Sequence, residues 1–256
     1  MKLYFDLARR LLNLVWYHAF VFFRTIRCLP PIFVWLLVIY FDYETNLPLP
    51  LVQRYTAIIV GLFFISVWFG YLFLSSLNQS AEYICILKIG DLKLYFVSKV
   101  IFLFAVSMGF SLIGALYPIC KEIMCWAQGF EAFEGGMKLS FIFGAFVLYT
   151  VVSFLGMVLT LLFAPNLSKR RDVFSMVMII IFALASITKD QIFESQSIFK
   201  YASYIFPPVI EIGKLFYNKN IFVMHNLIWA MFYGFIYSTA AIFLRCWLDC
   251  KKLYAR

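Results

Sequence analysis

The sequence predicts an all-α integral membrane protein with six transmembrane helices. Apolar residues fill 64% of its 256 positions and charged residues only 14%, whereas soluble domains have about 45–50% and 25%. Aromatic residues make up 21% of the chain, and lipid-facing surfaces tolerate large apolar rings and seat Tyr and Trp at the membrane interfaces. A single transmembrane domain is therefore predicted over the whole chain, 1–256.

An amphipathic helix is predicted over residues 2–20, ahead of the first span. Polar residues recur there at helical spacing and form one stripe, while apolar residues line the opposite face. A helix with this pattern lies along the membrane surface and does not cross the bilayer. The stripe consists of Lys2, Asp6, Arg9, Arg10, Asn13 and Tyr17.

Six apolar runs follow, and a helix needs about 20 such residues to cross a hydrocarbon core of about 30 Å. The first run is short and has Pro30 and Pro31 near its start, where the first turn of a helix accommodates proline. The other five contain Gly, Ser or Ala among bulky residues, as close packing of helices in lipid requires. The predicted spans are 25–41, 55–76, 100–119, 139–163, 173–188 and 221–244.

Lys and Arg residues divide unevenly between the two sides of the predicted membrane. Of the 22 in the chain, fifteen lie on the side that holds both termini and the loops near residues 90 and 170. Because loops rich in Lys and Arg stay in the cytoplasm, both termini are predicted to be cytoplasmic. The same short basic clusters account for the net charge of +9, so nucleic acid is not expected as a partner.

The segment 189–220 is too apolar for a solvated loop and too interrupted for a span. Pro207 and Pro208 separate two apolar stretches, so two short helices that dip partway into the bilayer fit, provided that protein covers their backbone. Glu211 follows the proline pair inside an apolar stretch, where a carboxylate needs a partner such as Lys214. An ordinary hairpin on the outer surface is the alternative.

Residues 77–99, between the second and third spans, predict a helix, a break and a second helix that feeds the third span. Charged and apolar residues alternate in this segment, as in an element that docks in the groove of a partner. Ile86 and Leu87 would be the anchors inside a charged rim. The candidate contact residues are Glu82, Ile86, Leu87, Lys88, Gly90, Asp91 and Lys93.

This order of elements resembles the membrane-spanning permease subunit of type-2 ATP-binding-cassette (ABC) exporters. That family has an interfacial helix, two spans, an inward coupling helix and four more spans, with a re-entrant outer hairpin before the last. Glu82, the pair Leu87-Lys88 and then Lys99 at the start of the third span look like its coupling region. Gly90 stands at the break, where that family often has a proline.

The resemblance implies an ATP-driven exporter in a bacterial cell membrane. Its substrate would be amphipathic or lipophilic, such as an antimicrobial peptide, a lipid or a drug. Cytoplasmic ABC ATPase subunits would bind ATP and Mg, and the chain would pair with a second copy or a paralogous permease. The sequence itself has no P-loop of the form Gly-x-x-x-x-Gly-Lys-Ser/Thr, so no cofactor is expected on this chain.

Metal chemistry and catalysis find little support in the sequence. The Cys and His residues lack the spacing of a zinc site. His18 and His225 favour packing or interfacial roles, with a proton-linked role as the alternative. We therefore predict a transporter subunit and not an enzyme.

A translocation path is predicted between two copies, because six short helices leave little room for one inside a single bundle. Aromatic and Met linings suit an amphipathic or lipophilic substrate, since they repack around different shapes. Core packing or lipid contact is the alternative explanation for the same residues. The candidates are Phe63, Phe64, Trp68 and Tyr71 in the second span and Met176, Met178 and Phe182 in the fifth.

Two other functional classes compete with the exporter. The substrate-binding membrane component of an uptake system also has six spans and uses an external ATPase, but the segment that resembles a coupling helix favours the exporter. An integral membrane enzyme acting on lipids needs a polar cluster at the interface, such as paired carboxylates or His with Asp. No such spacing occurs in the sequence.

Overall fold

All regular secondary structure in the computed structural model is helical within the residues that it describes, which are 2–44, 50–127, 133, 137–163, 172–193, 205–217, 219 and 221–254. A 3₁₀ turn, Ile26–Cys28, directly precedes the second α-helix. The α-helices of this part of the chain are α1 (Lys2–Phe23), α2 (Leu29–Glu44), α3 (Leu51–Ala57), α4 (Ile59–Ser76), α5 (Gln79–Ile89), α6 (Leu92–Ala127), α7 (Leu139–Leu162), α8 (Asp172–Phe193), α9 (Val209–Lys214) and α10 (Met224–Tyr254).

Five helical segments in the described residues are long and apolar enough to cross a membrane. Their most apolar windows have mean hydropathies between 1.5 and 2.4. They correspond to the first four predicted spans and the last one, so the prediction of an all-α, multi-pass membrane protein is confirmed. The predicted fifth span coincides with a shorter apolar stretch, Ser175–Thr188, within α8. The five segments are Ile26–Glu44, Leu51–Ser76, Leu92–Ala127, Leu139–Leu162 and Met224–Leu248.

Helix α7 packs along α4, α6 and α10, and its backbone closely approaches that of α4 at Gly156. A Cβ added at Gly156 of α7 would lie 2.8 Å from the carbonyl oxygen of Phe63 in α4. One turn away, the hydroxyl oxygens of Ser66 and Ser153 lie 2.8 Å apart in a buried hydrogen bond. Small residues of this kind allow two backbones to approach in lipid, where apolar surface alone gives no preference for protein over acyl chains.

A second set of buried contacts is an aromatic cluster that joins α2, α3, α6 and α7. The indole N–H of Trp35 donates to the carbonyl oxygen of Phe110 at 3.1 Å, and the Tyr55 hydroxyl donates to that of Ala115 at 3.4 Å. The ring of Tyr149 packs edge-on against both Trp35 and Tyr55. These bonds satisfy polar atoms that have no water to bind, so they fix how the helices are rotated against one another.

The predicted re-entrant segment is described only in part, because residues 194–204 lie outside the described residues. Pro207 and Pro208 precede α9, and Val209 and Ile212 of that helix are buried against the bundle. Helix α9 packs on α4, α8 and α10. The segment after the prolines is therefore covered by protein, as a re-entrant element requires, while the hairpin form stays a prediction.

We expect Gly156→Ala to lower the stability of the protein by about 1–3 kcal/mol, because its new methyl group meets the α4 backbone. Thermal unfolding of the purified protein measures this change. Gly109→Ala in α6 is the matched control, since no described atom lies within 4 Å of the position that its Cβ would take. An equal loss of stability in both variants would contradict the close approach of α4 and α7.

Candidate functional site

The predicted coupling segment folds as α5, a short helix with a defined start and end. The Asn78 side-chain oxygen accepts a hydrogen bond from the Ser80 amide at 3.1 Å and caps its first turn. Gly90 ends the helix with a φ of 73°, a left-handed conformation that favours glycine. The Asp91 carboxylate then accepts from the Lys93 amide at 2.8 Å and starts α6. The break between the two helices is thus built from one C-cap and one N-cap.

One face of α5 points away from the bundle and is largely apolar. Ile84 and Leu87 are 65% and 81% exposed, and Tyr83 and Lys88 are exposed beside them. Positions three and four apart share a helix face, so these four residues form one continuous surface. We call Tyr83, Ile84, Leu87 and Lys88 the docking face.

The opposite face of α5 turns toward the bundle. Glu82, Cys85, Ile86 and Ile89 are all half-buried there. Of the two predicted anchors, Leu87 therefore faces outward and Ile86 faces inward. Tyr83 and Ile84 were not among the predicted contact residues, although their helical spacing to Leu87 is present in the sequence.

Glu82 connects the inward face of α5 to α6. Its carboxylate oxygen Oε1 accepts a hydrogen bond from the Tyr95 hydroxyl at 3.2 Å and forms an ion pair with Lys99. The ammonium group of Lys99 also lies over the Tyr95 ring, 4.7 Å from its centroid. Glu82 thus acts within the protein and not on the outward rim where the sequence placed it.

His18 of α1 lies fully buried beside this ion pair. Its Nε2 atom is 3.0 Å from the Ser98 hydroxyl, which itself donates to the carbonyl oxygen of Tyr95 at 2.7 Å. Because the single hydroxyl proton of Ser98 is used in that second bond, His18 must be the donor in the first. The imidazole therefore carries its proton on Nε2. Burial, with a smaller effect of the Lys99 charge, lowers the pKa of His18 to about 3.

Helix α1 has three distinct faces. Leu14, His18 and Phe22 are buried against the bundle, where Phe22 packs on Phe69 and Phe73 of α4. The predicted polar stripe is exposed at Asp6, Arg9, Arg10 and Asn13, whereas Tyr17 at its end is half-buried. A third strip carries exposed Leu12, Trp16 and Phe20.

The candidate pathway residues lie on neighbouring helices, because α4 and α8 are in contact. Only Trp68 and Met176 among them are exposed on the surface of the single chain. Phe63 is fully buried in the core. Phe64, Tyr71, Met178 and Phe182 are half-buried.

Comparison with known proteins found no matching family model, no matching curated protein and no matching solved structure. The residues of this chain therefore indicate its function by themselves, chiefly the docking face and the contacts that orient it.

Acid should destabilise the protein through His18. The unfolded chain has an ordinary histidine pKa of 6.5, whereas the pKa of folded His18 is about 3. Between these values the unfolded state binds a proton that the folded state does not, so stability falls as the pH drops below 6.5. At pH 5 we expect a loss of about 2 kcal/mol relative to pH 8.

Unfolding temperatures of His18→Gln, measured at pH 8 and pH 5, test this assignment. Gln keeps a donor for Ser98 but does not titrate, so this part of the pH dependence should disappear. His225→Gln is the control, because His225 is exposed on α10; it should keep the wild-type pH dependence. Equal pH dependence in His18→Gln and the wild type would show that His18 does not titrate as stated.

Proposed function

We propose that this chain is the permease subunit of an ATP-driven ABC exporter, and that its docking face binds a cytoplasmic ATPase subunit. Two copies, or this chain and a paralogue, would move an amphipathic or lipophilic substrate out of the cell. The observation that carries the proposal is the exposed apolar pair Ile84 and Leu87 on a short, capped helix between two spans.

Exposed apolar side chains in this position favour a protein partner. Helix α5 lies between the candidate spans Leu51–Ser76 and Leu92–Ala127 and belongs to neither, so lipid tails do not account for its apolar face. Fully burying a side chain the size of Leu or Ile contributes about 1.5–3 kcal/mol. Lys88, Asp91 and Lys93 are exposed around this pair, as charged residues are around the anchors of a protein interface.

The partner is proposed to be an ATPase because the chain must obtain energy from elsewhere. It lacks a P-loop of its own. Ionisable residues are almost absent from the middle of its apolar runs, whereas carriers driven by protons or sodium place such residues in their spans.

We further propose that the chain crosses the membrane six times, so that both termini lie on the same side. Helix α8 has 22 residues, of which Ser175–Thr188 form its apolar stretch, and we propose it as the remaining one of the six spans because its full length of about 33 Å matches a hydrocarbon core of about 30 Å. Six spans place both termini on one side, and the excess of Lys and Arg near the termini assigns that side to the cytoplasm. Residues 189–220 would then form the outer re-entrant hairpin.

Ile84→Asp and Leu87→Asp should each lose the ATPase, because a charge replaces an anchor in the docked interface. The measurement is capture of the tagged chain from its own membranes, followed by assay of vanadate-sensitive ATP hydrolysis and identification of a bound polypeptide that contains a P-loop. Ile123→Asp is the matched control, since Ile123 is 60% exposed near the far end of α6. It should retain the ATPase.

Normal ATPase capture and transport by both docking-face variants would contradict the proposed docking site. Capture of no P-loop protein by the wild-type chain would contradict the exporter itself. Accumulation of substrate inside the cell, in place of its removal, would favour the uptake system.

The orientation predicts different labelling of two single-cysteine variants in intact cells. A membrane-impermeant maleimide should label a chain that retains only Cys120, which is exposed near the outer end of α6. A chain that retains only Cys85 of α5 should react after the membrane is permeabilised and not before. Labelling of Cys85 in intact cells would reverse the proposed topology.

A further inference from the structure

We infer that α1 holds the docking helix in position through His18 and Tyr17, which makes His18 a positioning residue for the ATPase contact. The identity of the partner rests on the proposed function. The contacts themselves belong to this chain alone, so they are testable without the ATPase.

The first step is the attachment of α5, whose side chains connect it to the bundle. Glu82 accepts a hydrogen bond from Tyr95 at 3.2 Å and pairs with Lys99, and both partners are on α6. Whatever moves Tyr95 therefore moves the anchor of α5.

The second step joins His18 to the same tyrosine. The His18 and Tyr95 ring centroids lie 5.3 Å apart. His18 also donates to Ser98, and Ser98 donates to the Tyr95 carbonyl oxygen. One residue of α1 thus contacts both the side chain and, through Ser98, the backbone of the residue that holds Glu82.

A direct contact between α1 and α5 gives the third step. The half-buried Tyr17 side chain of α1 lies next to Cys85 and Glu82 of α5, and its ring lies 5.7 Å from that of His18. Cys85 belongs to the inward face of α5 one turn from Glu82. Helix α5 therefore meets the bundle at two successive points of the same face, and α1 lies beside both.

Helix α1 therefore helps the Glu82 ion pair to fix the direction of the docking face. With both attachments made, the inward face of α5 is fixed and Ile84 and Leu87 point outward. With the α1 attachments broken, Glu82 alone restrains a helix of 11 residues. An isolated helix of that length is marginal in water, so we expect α5 to open locally while the spans stay folded.

Hydrogen–deuterium exchange of the full chain in phosphatidylcholine–phosphatidylglycerol nanodiscs tests this inference. His18→Phe keeps an aromatic ring beside Phe73 and Tyr95 but removes the hydrogen bond to Ser98. We expect the amides of 79–89 to exchange roughly tenfold faster. Those of α4 and α7 should exchange at the wild-type rate.

Ser153→Ala is the matched control, because it breaks a buried hydrogen bond between two other helices, α7 and α4. It should leave exchange in α5 unchanged. Ser98→Ala removes the same hydrogen bond by changing its α6 partner, and it should also open α5. This second variant tests the inference if His18→Phe does not fold.

Unchanged exchange of α5 in both His18→Phe and Ser98→Ala would overturn the inference. So would faster exchange of α4, α7 and α5 alike, which is the result for a histidine that merely fills the core. Selective opening of α5 in these variants would support the positioning role of His18. If Ile84→Asp nevertheless retained the ATPase fully, the proposed docking function would be rejected while the positioning role stood.

Discussion

The ion pair between Glu82 and Lys99 fixes the direction in which α5 faces, and the proposed docking of a partner depends on that direction. Only 19% of the Glu82 side chain and 15% of the Lys99 side chain are exposed. Exposed ion pairs contribute about 0–1 kcal/mol, whereas removing one member of a buried pair costs about 3–5 kcal/mol. The additional hydrogen bond from Tyr95 compensates for lost hydration, so this pair holds α5 in one orientation.

The membrane explains why a polar network of this kind lies at the end of the bundle and not within it. Inside the bundle, α4 and α7 meet through small residues such as Gly156, and polar atoms pair with backbone carbonyls or with one another. Helix α1 lies at the end of the bundle. One of its faces packs on the rest of the protein, a second carries exposed charged residues, and a third carries exposed apolar residues. His18 lies on the protein face, where it reaches Ser98 and the helix that carries Lys99.

Apolar run length was enough to predict the five described segments that are long and apolar enough to cross a membrane, and Gly90 was enough to predict where α5 ends, because both signals are local. The orientation of α5 was not predictable, since Ile84 and Leu87 on one face are matched by Ile86 and Ile89 on the other. The inward face is determined by Tyr95 and Lys99, which bind the Glu82 carboxylate and lie 13 and 17 positions after it in the sequence. His18 likewise acts through a residue 80 positions away, a pairing that no periodicity reveals.

Site-specific photo-crosslinking tests the docking face most directly. Benzoylphenylalanine placed at Leu87 points outward, whereas the same group at Ile86, one residue away, points into the bundle. After irradiation of native membranes, we expect the label at position 87 to crosslink to a polypeptide that contains a P-loop. The label at position 86 should give no such product. Equal crosslinking at both positions, or no P-loop polypeptide at position 87, would contradict the docking of an ATPase on this face.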